Sequence, residues 1–269
     1  MAVKEQESDR FLQEFHDDIH RKNQGKVKIF LGYAEGTGKT YAMLQAAHQA
    51  KEHGVDVVAG YIEAHNSSQT EALLEGIEQI KPKQVSFGDK TGFEFDIDAA
   101  LKRRPGLILL DEYAHTNIGN SRHFKRYQDV QELLNAGINV YTTVNIQHIE
   151  SLNDVVAAIT GVLVKERIPD SVFDKADQVE LVDIEPIELL ERMSRKTVSS
   201  DNRNNNEFFT LEKLTALREI ALRRCADRVN LLTENARLQS KSDYHTDEHI
   251  LVCLSASPSN AKIIRTAAR

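Results

Sequence analysis

This sequence is short of cysteine, of long apolar runs and of basic charge. Its 269 residues hold two cysteines, Cys225 and Cys253, far apart and without metal-ligand spacing. That excludes a disulfide framework, and both thiols, set among apolar or helical neighbours, are expected to be buried. No apolar run approaches the ~20 residues a helix needs to cross a bilayer. Met1 to Arg10 is polar and charged, unlike a secretory leader. Together these absences predict a protein of the reducing cytoplasm. Lys and Arg number 34 against 41 Asp and Glu, a net charge of -7. A surface of that sign argues against broad nucleic-acid binding. The histidines form no metal-ligand cluster, so Mg²⁺ carried with a nucleotide is the only metal expected.

What the chain does have begins at Lys28. A short apolar run, Ile29 to Leu31, leads into Gly32-Tyr33-Ala34-Glu35-Gly36-Thr37-Gly38-Lys39-Thr40, and a helix-forming segment from Tyr41 to His53 follows at once. Strand, glycine-rich turn and helix in this order form the context of a phosphate-binding loop. Gly36 and Gly38 let the backbone wrap an anion, with N–H groups from Gly36 through Thr37 to Thr40 pointing inward. The helix adds the positive end of its dipole. Lys39 is placed to reach the β- and γ-phosphates of ATP, and Thr40 to ligate Mg²⁺. The usual pattern has glycine where Tyr33 stands. Here the glycine comes one place earlier, at Gly32.

A second signal lies at Leu107-Ile108-Leu109-Leu110-Asp111-Glu112, a buried-type strand that ends in two carboxylates. In nucleotide-binding sheets such an aspartate holds the Mg²⁺ shell, which is the role expected of Asp111 together with Thr40. Glu112 is the candidate base for a water attacking the γ-phosphate. Thr142, Thr143 and Asn145 end a later strand and are candidates to sense that phosphate. Glu63, His65, His115 and His148 also follow strands. In the basic patch 121–126, Arg122 or Arg126 is a candidate to neutralise phosphate charge, with solvated surface charge as the competing explanation.

Strands and helices alternate. Strands are expected at Val27 to Leu31, Val55 to Ile62, Leu107 to Leu110, Asn139 to Val144, Val162 to Ile168 and Gln178 to Val182. Helices are expected from Thr40, over Gln69 to Ile80, Asp129 to Ala136 (ended by Gly137), His148 to Ile159 and Pro186 to Ser194. A long amphipathic helix covers Leu211 to Leu238, with Leu214, Leu217, Ala221, Cys225 and Leu232 at helical spacing. This alternation predicts an α/β fold, a parallel sheet with helices on both faces, with ligands at the carboxyl ends of the strands. Residues 1–24 are expected to form a short helix or tail, 25–240 the nucleotide-binding domain and 241–247 a polar linker. Thr197 to Asn206 is expected to be a loop. His249 to Leu254 and Asn260 to Arg269, within 248–269, read as the first strand and helix of a further α/β domain.

The glycine loop, Asp111-Glu112-Tyr113-Ala114-His115-Thr116-Asn117, the run from Ser121 to Asp129 and Tyr141 to Val155 resemble the cytoplasmic N-terminal domain of the KdpD family of potassium-responsive sensor histidine kinases. The resemblance runs from about Gly25 to Arg228. It implies an ATP-binding regulatory domain with a P-loop NTPase-like sheet. It also implies that a universal-stress-protein-like domain, four membrane spans and a histidine-kinase transmitter acting on a response regulator follow in full-length members. Some members bind cyclic di-AMP through a Ser-x-Ser element, which Ser255-Ala256-Ser257 resembles. The family's later aromatic motif is absent, so no competent dinucleotide site is expected. Three readings stand: a regulatory ATP-binding input module, an NTP-hydrolysing or phosphotransfer enzyme using Glu112, and a nucleotide-free scaffold.

Overall fold

The computed structural model describes residues 24–63, 68–87, 90–197 and 210–240. The chain opens on β1 (Val27–Gly32) and α1 (Lys39–Glu52), then β2 (Val57–Tyr61), α2 (Ser68–Leu74) and β3 (Glu78–Gln79). A hairpin of β4 (Lys83–Phe87) and β5 (Lys90–Glu94) follows, then α3 (Ile97–Arg103), β6 (Leu107–Leu110), α4 (Arg126–Asn135) and β7 (Asn139–Asn145). Two short 3-10 turns precede α5 (Asn153–Thr160), and α6 (Asp170–Asp174), β8 (Gln178–Leu181), α7 (Pro186–Thr197) and α8 (Leu211–Ser240) complete the order. No helix among the described residues is long and apolar enough to cross a membrane. The fold divides after Ala226 into two compact units, and the sheet belongs to the first.

Six strands pair in the order β3-β2-β6-β7-β1-β8, all in parallel. Every residue of β6 is buried, as a strand covered on both faces must be. One face packs Phe30, Leu107 and Leu109 against Met43, Leu44 and Ala47 of α1. The other packs Ile29, Leu31, Ile108 and Leu110 with Val130 and Leu133 of α4, Leu189 of α7 and Leu214, Leu217 and Ala221 of α8. Alternate residues of each strand thus feed opposite cores.

This order puts β7 between β1 and β6. In register, Gly32 lies beside Asn145, Phe30 beside Thr143, and Leu110 beside Thr142. The glycine loop after β1, the polar end of β7 and the acidic turn after β6 therefore meet at one edge of the sheet.

The α/β architecture and the parallel sheet are as the sequence predicts, and several elements are not. The helix expected to Ile80 stops at Leu74. Gly76 turns the chain with φ 79°, and Glu78–Gln79 pairs with Val58 and Ala59 as an edge strand. The strand expected over Val162 to Ile168 does not form, and Ile168 makes only an isolated bridge to Ile149. The helix expected from His148 begins at Asn153. The β4–β5 hairpin and α3 add to the elements expected; Asp96 caps α3 by accepting from Ala99 N–H at 3.0 Å. Cys225 is half-buried rather than buried. Leu232, placed on the apolar stripe of α8 by its spacing, is 47% exposed. Expectations for residues 1–23, 198–206 and 241–269, which include Cys253, and for His65 fall outside the described residues.

Candidate functional site

The glycine loop is shaped by close approach. A Cβ on Gly32 would sit 2.4 Å from Thr37 Oγ1 and 2.8 Å from Lys39 Cδ, so no side chain fits there. Gly36 and Gly38 hold φ of 81° and 96°, the left-handed region that L side chains rarely adopt. Tyr33, where the usual pattern has glycine, turns away from the loop. It is fully buried, and its hydroxyl donates to Ile184 O at 2.9 Å. Burial pushes that phenol up to about 12. The loop thus keeps its tight turn without glycine at that position, because the phenol has a pocket of its own.

Gly38 begins α1 without a side-chain cap, and the first turn of α1 carries no acidic residue. Its leading N–H groups keep the positive end of the helix dipole open. Lys39 Nζ donates to Ala34 O at 3.2 Å, and Thr37 Oγ1 to the same carbonyl at 3.2 Å. Burial lowers the Lys39 ammonium below the usual lysine range, while Asp111, Glu35 and Glu112 pull it back up.

Asp111 gathers donors from three elements. Thr40 Oγ1 of α1 donates to Oδ2 at 2.9 Å; Thr143 Oγ1 of β7 and the Glu112 N–H, the latter at 3.1 Å, donate to Oδ1. Thr143 Oγ1 also accepts from Glu112 N at 3.2 Å. Glu112 holds a left-handed φ of 57°, strained for a non-glycine residue. That turn swings its carboxyl toward Glu63 at the end of β2. Burial, then Glu63 and Asp111, push Glu112 up to about 8.

Asn145 lies beside Gly32, is 8% exposed, and its Oδ1 has no partner among the described residues. Thr142 sits three residues before the end of β7, level with Leu110 and Ile29, and is fully buried. It lies within the sheet rather than at its end, which removes it from the site.

The two arginines go separate ways: Arg122 stays a surface charge, as the competing explanation has it, and Arg126 does not. Arg126 is fully buried. It donates to Asp111 O at 3.1 Å and Glu94 Oε2 at 3.0 Å, and its guanidinium lies 4.3 Å from the centre of the Tyr61 ring. It braces the acidic turn from below instead of facing a ligand. Arg122 donates to Asp98 and Glu132, at 2.6 Å each, rather than to the glycine loop.

Two glutamates complete the surroundings that sequence reasoning missed. Glu94, buried at the end of β5, accepts from His115 Nε2, Ile118 N–H and Arg126. Glu166 accepts from Thr116 N–H at 2.8 Å and lies 3.8 Å from His115 Nδ1. His115 Nδ1 is also 4.0 Å from Glu112. The single available signal for Glu94 was a carboxylate set between two phenylalanines in an alternating segment. His148 is pushed down to about 4 by burial, with Lys39 and Lys125 adding to the effect and Glu166 opposing it. Its imidazole is therefore neutral at pH 7.

Over residues 23–229 the sequence matches the family described as the osmosensitive K⁺ channel His kinase sensor domain, KdpD. The chain belongs to the KdpD family. It is 54% identical to the sensor protein KdpD of Clostridium acetobutylicum over 264 residues, 96% of this chain and 29% of that protein. Identity to the sensor protein KdpD of Escherichia coli K12 is 45% over 252 residues, 92% of this chain and 28% of that protein. A putative sensor protein KdpD of Synechocystis is 43% identical over 254 residues and is covered to 67% of its length. The chain thus spans less than a third of the first two relatives.

The donor set of this KdpD-family chain bears on a Mg²⁺-nucleotide through side chains from two elements, Thr40 and Asp111. No group of three or more His, Cys, Asp or Glu side chains among the described residues is arranged to hold a metal alone. The Thr40–Asp111 contact instead juxtaposes one hydroxyl and one carboxylate. That is a partial shell of the kind Mg²⁺ uses when waters and phosphate oxygens supply the rest. The cradle at Gly32, the Lys39 ammonium and the uncapped helix end suit a phosphate chain.

Proposed function

We propose that this chain is a regulatory ATP–Mg²⁺-binding input module of a potassium-responsive two-component sensor kinase. The observation that carries the reading is the convergence of the Gly32 cradle, Lys39 and the Thr40–Asp111 pair at one edge of the sheet. Backbone N–H groups from Gly36 through Thr37 and Gly38 to Thr40 would hold the phosphates, with Lys39 pairing their charge. Thr40 and Asp111 would hold the Mg²⁺, which neutralises phosphate charge when bound. Thr143 would fix Asp111, and Asn145 would face the terminal phosphate. The sheet is read as a P-loop NTPase-like one, in a cytoplasmic protein that does not bind nucleic acid. The nucleotide-binding domain would span 25–240, with 248–269 opening a universal-stress-protein-like domain. The transmitter and response regulator would be partners in the whole protein.

The second reading is an NTP-hydrolysing enzyme with Glu112 as base. One observation weighs against fast turnover. A carboxyl pushed up to about 8 holds its proton at pH 7, and a protonated carboxyl cannot take another from water. Hydrolysis is therefore expected to be slow and to rise toward pH 8. A nucleotide-free scaffold is the third reading, and it fails if ATP binds.

Titration calorimetry with ATP–Mg²⁺ tests the proposal. Lys39→Ala removes a charge-assisted contact of roughly 1.5–3 kcal/mol, about ten- to a hundredfold in affinity. Unchanged affinity in a folded Lys39→Ala variant would rule out this site. Turnover measured on the same samples separates the input module from the enzyme.

A further inference from the structure

The β4–β5 hairpin, the start of α3 and the loop that leads into α4 enclose a cavity of about 30 Å³, to which the glycine loop contributes no residue. That is room for one or two water-sized occupants. Its outer end is exposed, and the charges there hold one another. Asp98 meets Lys83 at 3.7 Å and Arg122 at 2.6 Å. Its inner wall is buried and is made by Glu94, Phe95, Ile97, Asn117 and Asp129.

Two buried groups of that inner wall bear on what it takes. Asn117 is 8% exposed. Its Nδ2 donates to His123 O at 3.1 Å and to Asp129 Oδ2 at 2.6 Å. Those partners fix the amide, because turning it over would set its oxygen against a backbone carbonyl. Its Oδ1 is buried and meets no donor among the described residues, a costly arrangement for an acceptor. Asp129 is 3% exposed and accepts from that same amide. The cations nearest it, His123 and Arg126, bond Glu132 and Glu94. Burial accordingly pushes the Asp129 carboxyl up to about 6. The other acids of the wall are provided for: Glu94 accepts from His115, Ile118 N–H and Arg126, and Asp96 caps α3.

We propose that this cavity binds one monovalent metal cation, stripped of most of its water, against Asn117 Oδ1 and the Asp129 carboxylate. A neutral amide oxygen beside one carboxylate matches a single positive charge. A divalent ion asks for a fuller set of oxygens, and no group of three or more His, Cys, Asp or Glu side chains among the described residues is arranged to hold one. An anion would meet the carboxylates of the wall, while Lys83 and Arg122 are engaged with Asp98. Water would satisfy the Asn117 oxygen but bring no charge to Asp129; it is the competing occupant. The site does not depend on ATP binding.

Thermal melts of the full chain without nucleotide, at constant ionic strength, provide the test. Replacing choline, which is too large for the cavity, by K⁺ is expected to raise Tm saturably by about 2–4 °C. Tl⁺, close to K⁺ in size and visible by NMR, should give a saturable thallium shift that K⁺ displaces. Asp129→Asn keeps the shape and removes the charge, and it should abolish both effects. Asn117→Ala should weaken Tl⁺ at least about tenfold, and Lys39→Ala, in the glycine loop, should change neither reading. Equal melting in K⁺ and choline would mean that the cavity takes water only and would overturn the proposal. So would an unaltered thallium shift in folded Asp129→Asn or Asn117→Ala, or its loss in Lys39→Ala. The wild-type melt and titration need no variant, so they decide the matter even if both cavity variants fail to fold.

Discussion

The two flanks of β6 treat adjacent carboxylates in opposite ways. On the β7 and β1 side, Asp111 is buried but met by Thr40, Thr143 and a backbone N–H. On the β2 side, Glu112 leaves the strand in a left-handed turn and faces Glu63. Donors surround the first carboxylate, while a second acid adjoins the other. Two neighbouring residues of like chemistry are thus prepared for different work. Asp111 accepts from three donors, and Glu112 is pushed up to about 8 by burial and by Glu63. Burial alone does not set a carboxyl's behaviour; the supply of donors does.

The strongest way to break this contrast is to remove the brace both flanks share. Arg126 bonds Asp111 O and the buried Glu94. Arg126→Ala leaves Glu94 buried without its cation, and a loss of about 3–5 kcal/mol in urea-denaturation stability is expected. A loss under about 1 kcal/mol would show that Glu94 relies on His115 and Ile118 instead.

Gly32→Ala attacks the β1 flank alone. Its Cβ would collide with Thr37 Oγ1 and Lys39 Cδ, so about 1–3 kcal/mol of stability should go. ATP affinity should fall along with it, while the Glu112 pH dependence on the β2 flank stays. Loss of both together would mean that the flanks are not separable.

The smallest effect is a pH dependence. Glu112 rises from 4.5 to about 8 on folding. The folded state therefore binds more protons than the unfolded state between those values, and this contribution to stability declines as pH rises through the window. The side chain is 37% exposed. Solvent screening therefore limits the decline to about 1–2 kcal/mol. Glu112→Gln should flatten that part of the pH profile in thermal melts taken from pH 5 to 9. An unchanged slope would place the proton elsewhere.

Much of the fold was legible in local pattern. Leu107 to Leu110 is an unbroken apolar run, and it became the buried strand such a run implies. Gly137 follows α4 as expected of a helix-ending glycine, with φ 81°. The loop from Gly32 to Thr40 and the acids at 111–112 are each marked by local pattern, and the Thr40–Asp111 contact joins them. Elements with weak local signals were lost. Gln69 to Ile80 carries helical spacing throughout, yet its last residues pair with β2, because an exposed sheet edge offers hydrogen bonds that a frayed helix end lacks. Val162 to Ile168 has strand-like composition but no neighbour in the sheet to complete a ladder.

The sequence by itself determined the α/β alternation, the glycine loop, the acidic strand end and membership of the KdpD family. Each rests on residues close together in the chain or on motifs that survive without geometry. Only the tertiary structure decided that β7 separates β1 from β6, that Arg126 is a buried brace rather than a surface cation, and that Glu112 faces Glu63. Glu94 and Glu63 reach these positions from strands 32 and 49 residues away from Arg126 and Glu112. A side chain's charge is written in the sequence; whether water, a donor or another acid surrounds it is settled when distant strands come together.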